Sequence, residues 1–400
     1  MAWLMPALAG AIQTAGRVVP KALLPSLRAE DLIGAAHASP DSASREGLAQ
    51  LLSSIARESP LSFFGHMALR WDTLRLLRNY ELVASAHAKT PDLAAAPIKA
   101  PIFILGLPRS GTTFLHTLMA EDSANQVPRN WQTIHPAPRP QDFDPHQDPR
   151  ARQVDRQLRL FDALSPGFAQ MHPITADSPQ ECSEITAHVF QSLRFDSTHR
   201  VPSYFAWLEA HGHDDAFHFH KRFLQYLQNG QPGRWVLKCP DHSFTLDAIL
   251  KTYPDARFIF VHRDPLEVIA SVARLTEVLR RPFLTRLDTA EIGAQVSERW
   301  IYGANLLLAF DQRAEISSER KFHIHYDELT HAPLETMARL YNHFGLALEP
   351  AARTAMARQL AAHPHGGYGT HPPYRLENFA LNQHELKTQF APYITAFCGT

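Results

Sequence analysis

The stretch that most constrains this chain is Ala100-Pro-Ile-Phe-Ile-Leu-Gly-Leu-Pro-Arg-Ser-Gly-Thr-Thr-Phe-Leu115. Ile102 to Leu105 is a short, unbroken apolar run, the pattern of a strand covered on both faces. Gly106 and Gly111 then frame a tight turn, and Phe114, Leu115, Leu118 and Met119 start a helix-period stripe. A strand, a glycine-framed loop and a helix N-terminus aim several backbone N–H groups at one point, which favours a phosphate. The fold class expected is α/β: a P-loop-type three-layer fold with a central parallel sheet, an N-terminal helical region and a helical insertion.

The loop has the spacing of a nucleotide-triphosphatase loop without its lysine. Such enzymes want Gly-x-x-x-x-Gly-Lys-Ser/Thr, with the lysine on the terminal phosphates and the hydroxyl on magnesium. Here Thr112 follows Gly111, and Arg109 is the cation of the loop. Arg109, Ser110, Gly111, Thr112 and Thr113 can grip a 5′-phosphate through guanidinium, hydroxyls and backbone, but nothing in the loop neutralises a γ-phosphate.

With 39 basic and 40 acidic residues among 400, the chain has no overall field that argues for nucleic acid. Cys182, Cys239 and Cys398 lie far apart and make no metal or disulfide pattern, which suits a cytoplasmic protein. The N-terminal run Met1 to Ile12 is apolar, but its first cations are Arg17 and Lys21, so it reads poorly as a signal peptide. It is shorter than the roughly 20 apolar residues of a membrane span. A helix packed on the domain is the plainer reading, and peripheral membrane contact through the N-terminus is the alternative. Oligomeric state is not legible.

In chain order, residues 1–95 form the N-terminal helical region, with helical patterns over Ser42–Ala56 and Phe63–Ala84 and no reactive constellation. Residues 96–400 form the second domain, with the insertion at about 130–230. Six prolines between Pro128 and Pro149 predict an extended connection. Helices are expected over Ser178–Leu193 and Asp214–Leu227, the second with Asp215 as N-cap and Phe217, His220, Leu224 and Leu227 on one face. Arg234 to Lys238 is a second core strand, placing Lys238 and His242 at the carboxyl edge of the sheet, where ligands gather. Ala256 to Arg263 is a third strand, followed by Asp264-Pro-Leu-Glu267, a well-signed helix start. Ser271 lies about two turns along and returns toward Arg263, so the two can meet one phosphate. Lys321 to Asp327 alternates as a fourth strand, with Phe322, Ile324 and Tyr326 on one face. The tail from Pro364 to Tyr374 suits a flexible closing loop.

Taken together, these segments resemble the sulfotransferases that use 3′-phosphoadenosine 5′-phosphosulfate (PAPS). The likeness is to the bacterial branch and the tyrosylprotein enzymes, which carry the Pro-Arg-Ser-Gly-Thr-Thr sequence seen at Pro108 to Thr113. The resemblance implies that Gly106 to Thr113 receives the 5′-phosphosulfate, that Arg263 and Ser271 take the 3′-phosphate, and that Tyr326 lies near the nucleoside. Lys238 matches the lysine that ends the intervening strand. Relatives often carry a Trp-Glu pair after the loop whose glutamate is a candidate base. Here the pair is Trp131-Gln132, and an amide cannot take a proton. His242 is the first choice of base. Glu181 and Glu184 come second, with His188 at helical spacing from Glu184.

The reaction implied moves a sulfuryl group to a hydroxyl or amine of a small-molecule acceptor, with Lys238 and Arg109 stabilising charge on the departing phosphate and no metal. A small-molecule kinase and a PAPS-binding protein without turnover are the competing readings. His211, His213, His218 and His220 suggest a metal, but His218 and His220 cannot share a helix face. Phe190, Phe195, Tyr204, Phe205 and Trp207 favour an apolar or lipid-like acceptor, unless they are simply core.

Overall fold

The computed structural model describes residues 23–363 and 374–399. The apolar N-terminal run and residues 364–373 of the tail, and with them the membrane-contact and closing-loop expectations, lie outside the described residues. The chain divides into two compact units. One comprises residues 1–97, 128–232 and 276–287, the other residues 98–127, 233–275 and 288–400.

The second unit holds a five-stranded sheet in the order β2-β3-β1-β4-β5, with β1 Ile102–Leu105, β2 Asn125–Gln126, β3 Arg234–Lys238, β4 Arg257–His262 and β5 Lys321–His325. Every pairing is parallel, and β1 sits between β3 (Ile104 beside Lys238) and β4 (Leu105 beside Phe260). Successive side chains of a strand face opposite ways. Ile102, Ile104, Val236, Ile259 and Val261 therefore pack on one face against Leu115, Leu118, Met337 and Leu340 of helices Thr112–Met119 and Pro333–His343. Phe103, Phe258 and Phe260 pack on the other, against Tyr253 and against Phe310 of helix Thr289–Asp311. Burial on both faces is why these strands read as continuous apolar runs. From β1 the chain passes to β2 and β3 on one side and then crosses to β4 and β5 on the other, so a topological switch point lies at the carboxyl end of β1.

Strand β5 stops sooner than the alternation suggests. Tyr326 opens a short helix, Tyr326–His331, whose first turn carries Asp327 and Glu328, charges that suit a helix N-terminus. Only Ile324 of the expected face is fully buried.

The first unit is helical. Helices Ala29–Ala36, Ser42–Glu58 and Phe63–Lys89 precede the sheet in sequence. The last begins at Ser62, whose hydroxyl accepts from the Gly65 N–H at 2.9 Å. The proline-rich stretch is not wholly extended: between Pro128 and Pro136 no proline intervenes, and Asn130–Ile134 forms a helix. The expected single helix over Ser178–Leu193 is broken. It comprises a turn at Ser183–Thr186 and a 3-10 turn at Ala187–Val189, ended by Phe190 at φ 55°. Helix Asp214–Gln228 has the expected buried face, but its N-cap position is His213, and both Asp214 and Asp215 lie in the first turn.

Candidate active site

The loop after β1 is built from conformations that few residues tolerate. Gly106 has φ 149°, and a Cβ there would stand 2.5 Å from the Val261 carbonyl oxygen of β4. Gly111 has φ 94° and caps helix Thr112–Met119; a Cβ there would meet the Tyr326 ring at 2.9 Å. Arg109 itself sits at φ 69°, a left-handed backbone that costs a non-glycine residue about 1 kcal/mol or more. The turn is held by Ser110, whose hydroxyl donates to the Leu107 carbonyl at 2.7 Å. Ser110 and Thr112 are buried, and Thr113 is half-buried.

Three segments far apart in sequence meet at this loop. Arg109 Nε donates to Ser271 Oγ at 3.2 Å, and Arg263 Nη1 donates to the Arg109 carbonyl at 3.2 Å. The Arg263 guanidinium lies 4.0 Å from the centre of the Tyr326 ring, and its Nε reaches Glu267 at 3.0 Å. Arg263 follows β4 directly, and Asp264 caps the next helix, Pro265–Arg280, by accepting from Leu266 N at 2.9 Å. Two guanidinia, two hydroxyl-bearing side chains and a helix N-terminus are thereby gathered at the carboxyl end of β1 and β4. Together they can hold a doubly phosphorylated nucleotide.

Lys238 ends β3 beside Ile104 of β1 and is 2% exposed. His242 lies in the 3-10 turn Pro240–Phe244 and meets Phe103 edge-on at 5.1 Å; it too is 2% exposed. A lysine and an imidazole thus follow one strand end, on the neighbour of the strand that feeds the loop.

The remaining candidates belong to the helical unit. Gln132 has both ends of its amide occupied: Oε1 accepts from Arg129 N at 3.1 Å, and Nε2 donates to the Ala137 carbonyl at 3.0 Å. It shapes the short helix Asn130–Ile134. Glu181 begins the broken segment, and its carbonyl accepts from Glu184 N at 3.1 Å. Glu184 is an ion-pair residue, 3.3 Å from Arg194 Nη1 and 3.8 Å from Arg75 Nη2. His188 has Nδ1 on the Ile185 carbonyl at 3.0 Å and Nε2 on Asn79 at 3.2 Å, and burial pushes its pKa down to about 3. Of the histidines weighed as a metal group and set aside, His211 faces Asp215 at 3.5 Å and stacks on Trp207, while burial pushes His220 down to about 3.

A cavity of 620 Å³ opens within this unit. Phe64, Leu158, Phe161, Phe168 and Phe283 supply apolar wall, and Asp72, Arg75, Glu184, Arg194 and His199 supply the polar part. Arg75 Nη2 lies 2.6 Å from Asp72 Oδ1, and Arg194 Nη2 pairs with Asp72 Oδ2, so two carboxylates and two guanidinia alternate in a closed ring. Burial would raise the Asp72 carboxyl, but Arg194 and Arg75 outweigh it and hold the group well below the usual carboxylate range. Of the five aromatics expected to mark an acceptor, Phe195 lines the cavity, whereas Phe190 and Tyr204 are core. Asp72, Arg75, Arg194 and His199 escape the sequence reading. One signal was present: Asp72 and Arg75 stand inside the apolar stripe of Leu69, Leu76 and Val83.

The fold and the loop define a class, and the comparisons place the chain in it. The Sulfotransferase family model matches residues 101–350, and the chain belongs to that family. It is similar to sulfotransferase STF9 from Mycobacterium avium, at 30% identity and a TM-score of 0.83 over 92% of this chain and 95% of that one. It is likewise similar to sulfotransferase STF1 from Mycobacterium tuberculosis H37Rv, at 31% identity and a TM-score of 0.79 over 92% and 99%. The omega-hydroxy-beta-dihydromenaquinone-9 sulfotransferase Stf3 of Mycobacterium bovis is 26% identical over 260 residues, 62% of this chain and 63% of that enzyme. The match thus spans less than two thirds of that curated relative.

Proposed function

We propose that this protein transfers a sulfuryl group from PAPS to a hydroxyl, or an amine, of a small apolar acceptor, giving 3′-phosphoadenosine 5′-phosphate (PAP) and a sulfate ester. The observation that carries this reading is the meeting of Arg109, Arg263, Ser271 and Tyr326 at a loop without a lysine. The backbone and hydroxyls from Arg109 to Thr113 take the 5′-phosphosulfate, Arg263 and Ser271 the 3′-phosphate, and Tyr326 the nucleoside.

The acceptor oxygen forms a bond to sulfur as the bridging oxygen departs with its electron pair on the PAP phosphate. Lys238 and Arg109 stabilise that growing charge, together with loop N–H groups that need no reorganisation during the step. His242 takes the acceptor proton, with Glu181 as the alternative base. A sulfuryl group carries less charge than a γ-phosphoryl, so the residues ask for no metal. The relative named for a menaquinone acceptor, and the apolar cavity, both favour a lipid-like acceptor. We place the protein in the cytoplasm on its sparse, scattered cysteines; no helix among the described residues is long and apolar enough to cross a membrane.

Calorimetric titration with PAP in the absence of magnesium, beside ATP with magnesium, tests the donor assignment. Tight binding of PAP alone is expected. Preference for ATP with magnesium would replace this reading with a kinase.

A further inference from the structure

Helix Phe63–Lys89 leaves an apolar stripe in water. Of the five large apolar side chains that stay exposed among the described residues, three ride on it: Met67, Trp71 and Leu82. At about 100° per residue, Met67, Trp71, Arg78, Leu82 and Lys89 fall within about 60° of one another, and all five are exposed. Apolar residues scattered singly over a surface need no explanation, but a row along one helix does.

The charges on this face have one sign. Arg78 reaches the Ala35 carbonyl at 3.4 Å, and neither it nor Lys89 has a carboxylate partner among the described residues. Glu81, at the margin of the face, is occupied: its carboxylate accepts from the Ser39 N–H at 2.9 Å and from the Ser85 hydroxyl at 3.1 Å. Tryptophan, methionine and leucine interleaved with arginine and lysine suit a helix lying in the headgroup region of an anionic bilayer.

Two further observations favour lipid over a protein partner. Met67 and Trp71 also line the cavity of this unit, so they stand at its mouth, and an apolar chamber opens on the same face. The second concerns where the preceding chain enters. The run Met1 to Ile12, followed by Arg17 and Lys21, joins the described residues at the exposed Leu23. The next residues are tied to this helix: His66 Nε2 donates to the Pro25 carbonyl at 2.7 Å, and Arg70 Nη1 to the Ser26 carbonyl at 2.8 Å.

We infer that this face docks on an anionic lipid bilayer. Met67, Trp71 and Leu82 enter the boundary between headgroups and acyl chains, Arg78 and Lys89 meet lipid phosphates, and the cavity mouth opens toward the lipid. That a lipid entering there is the acceptor of sulfuryl transfer rests on the function proposed above; the docking does not.

The test is co-sedimentation of the full chain with vesicles of phosphatidylcholine alone, and of phosphatidylcholine and phosphatidylglycerol in equal parts. The protein partitions onto the mixed vesicles and only weakly onto the neutral ones. Met67→Glu combined with Trp71→Glu lowers that partition by about tenfold or more, because two inserted side chains are lost and like charge faces the lipid. Lys89→Gln lowers it about fivefold on the mixed vesicles, the effect of one cation near an anionic surface, and leaves the neutral ones unchanged. Absence of wild-type binding to mixed vesicles overturns the inference. So does binding that survives the double substitution, which would leave the contact to the N-terminal run alone. A dimer in sedimentation velocity that Trp71→Glu abolishes, without vesicle binding, would assign the face to a second copy of the chain. If the double variant does not fold, Lys89→Gln and the wild-type comparison decide. PAP titration in parallel separates the two readings. Binding of PAP without vesicles defeats the docking and leaves the donor site. Vesicle binding that depends on Lys89 and Trp71, without PAP binding, leaves the docking and defeats the sulfotransferase reading.

Discussion

At the scale of single residues, the proposed donor site divides into groups that hold the nucleotide and groups that act during transfer. Arg263 is held by Glu267, the Arg109 carbonyl and the Tyr326 face, so its guanidinium is oriented before any ligand arrives. Arg263→Ala should weaken PAPS binding by about 2 kcal/mol, the scale of a charge-assisted contact, and barely change adenosine 5′-phosphosulfate, which lacks the 3′-phosphate. Equal losses for both would remove Arg263 from that role. His242 is different. It packs edge-on against Phe103, and in the proposed mechanism its part is to accept a proton rather than to bind the nucleotide. His242→Ala is expected to lower turnover by about 10²- to 10⁴-fold with PAP affinity intact. Unchanged turnover would pass the base role to Glu181. Both residues are named by sequence alone because Arg263 follows β4 directly and His242 lies four residues past the end of β3, where position along the chain fixes position at the sheet edge.

Elements explain why other residues were hidden. The ring of Asp72, Arg75, Glu184 and Arg194 joins helix Phe63–Lys89 to two short helices of the insertion, Ser183–Thr186 and Arg194–Thr198. Its side chains are between 7% and 21% exposed, so the pairs are poorly screened. Removing one carboxylate leaves two guanidinia short of charge, a loss worth more than the pair's net contribution. Asp72→Ala should therefore destabilise the protein by about 3 kcal/mol in urea unfolding. A change below about 0.5 kcal/mol, the level of an ordinary surface substitution, would show the ring to be idle. Helical spacing places Asp72 and Arg75 on a buried face but gives no hint that Glu184 and Arg194 meet them there. The expected continuous helix over Ser178–Leu193 would have set those residues on a different course; Phe190 in a left-handed conformation ends it.

Taken whole, the molecule stores several neutral imidazoles in its helical unit. Burial pushes His188 and His220 down to about 3 and His199 to about 4. In the unfolded chain the same groups take up protons near pH 6.5. Between about pH 6.5 and 4 the unfolded state thus binds more protons than the folded one, and stability falls as pH falls through that window. Urea midpoints at pH 7.5 and 5.0 should show the decline, and His220→Phe should make it shallower. A midpoint that rises on acidification would contradict the assignment. Asp72, held low by its arginines, adds to the loss only below its unfolded value of about 3.9.

Sequence by itself determined the sheet that carries the loop, and the order of the loop's partners. Ile102–Leu105, Arg234–Lys238 and Arg257–His262 are apolar runs that only a sheet covered on both faces accepts, and Gly106 and Gly111 mark backbone that only glycine adopts easily. Such signals are local, so they survive without coordinates. Tertiary structure decided the rest. It turned Trp131 and Gln132 into a capped helix, stopped β5 at His325 and built the cavity from residues as distant as Phe64, Leu158, His199 and Phe283. A cavity is a property of surfaces brought together by long-range packing, and no spacing in the chain records it. His199 is one of 23 histidines until the fold buries its ring in the wall of that cavity.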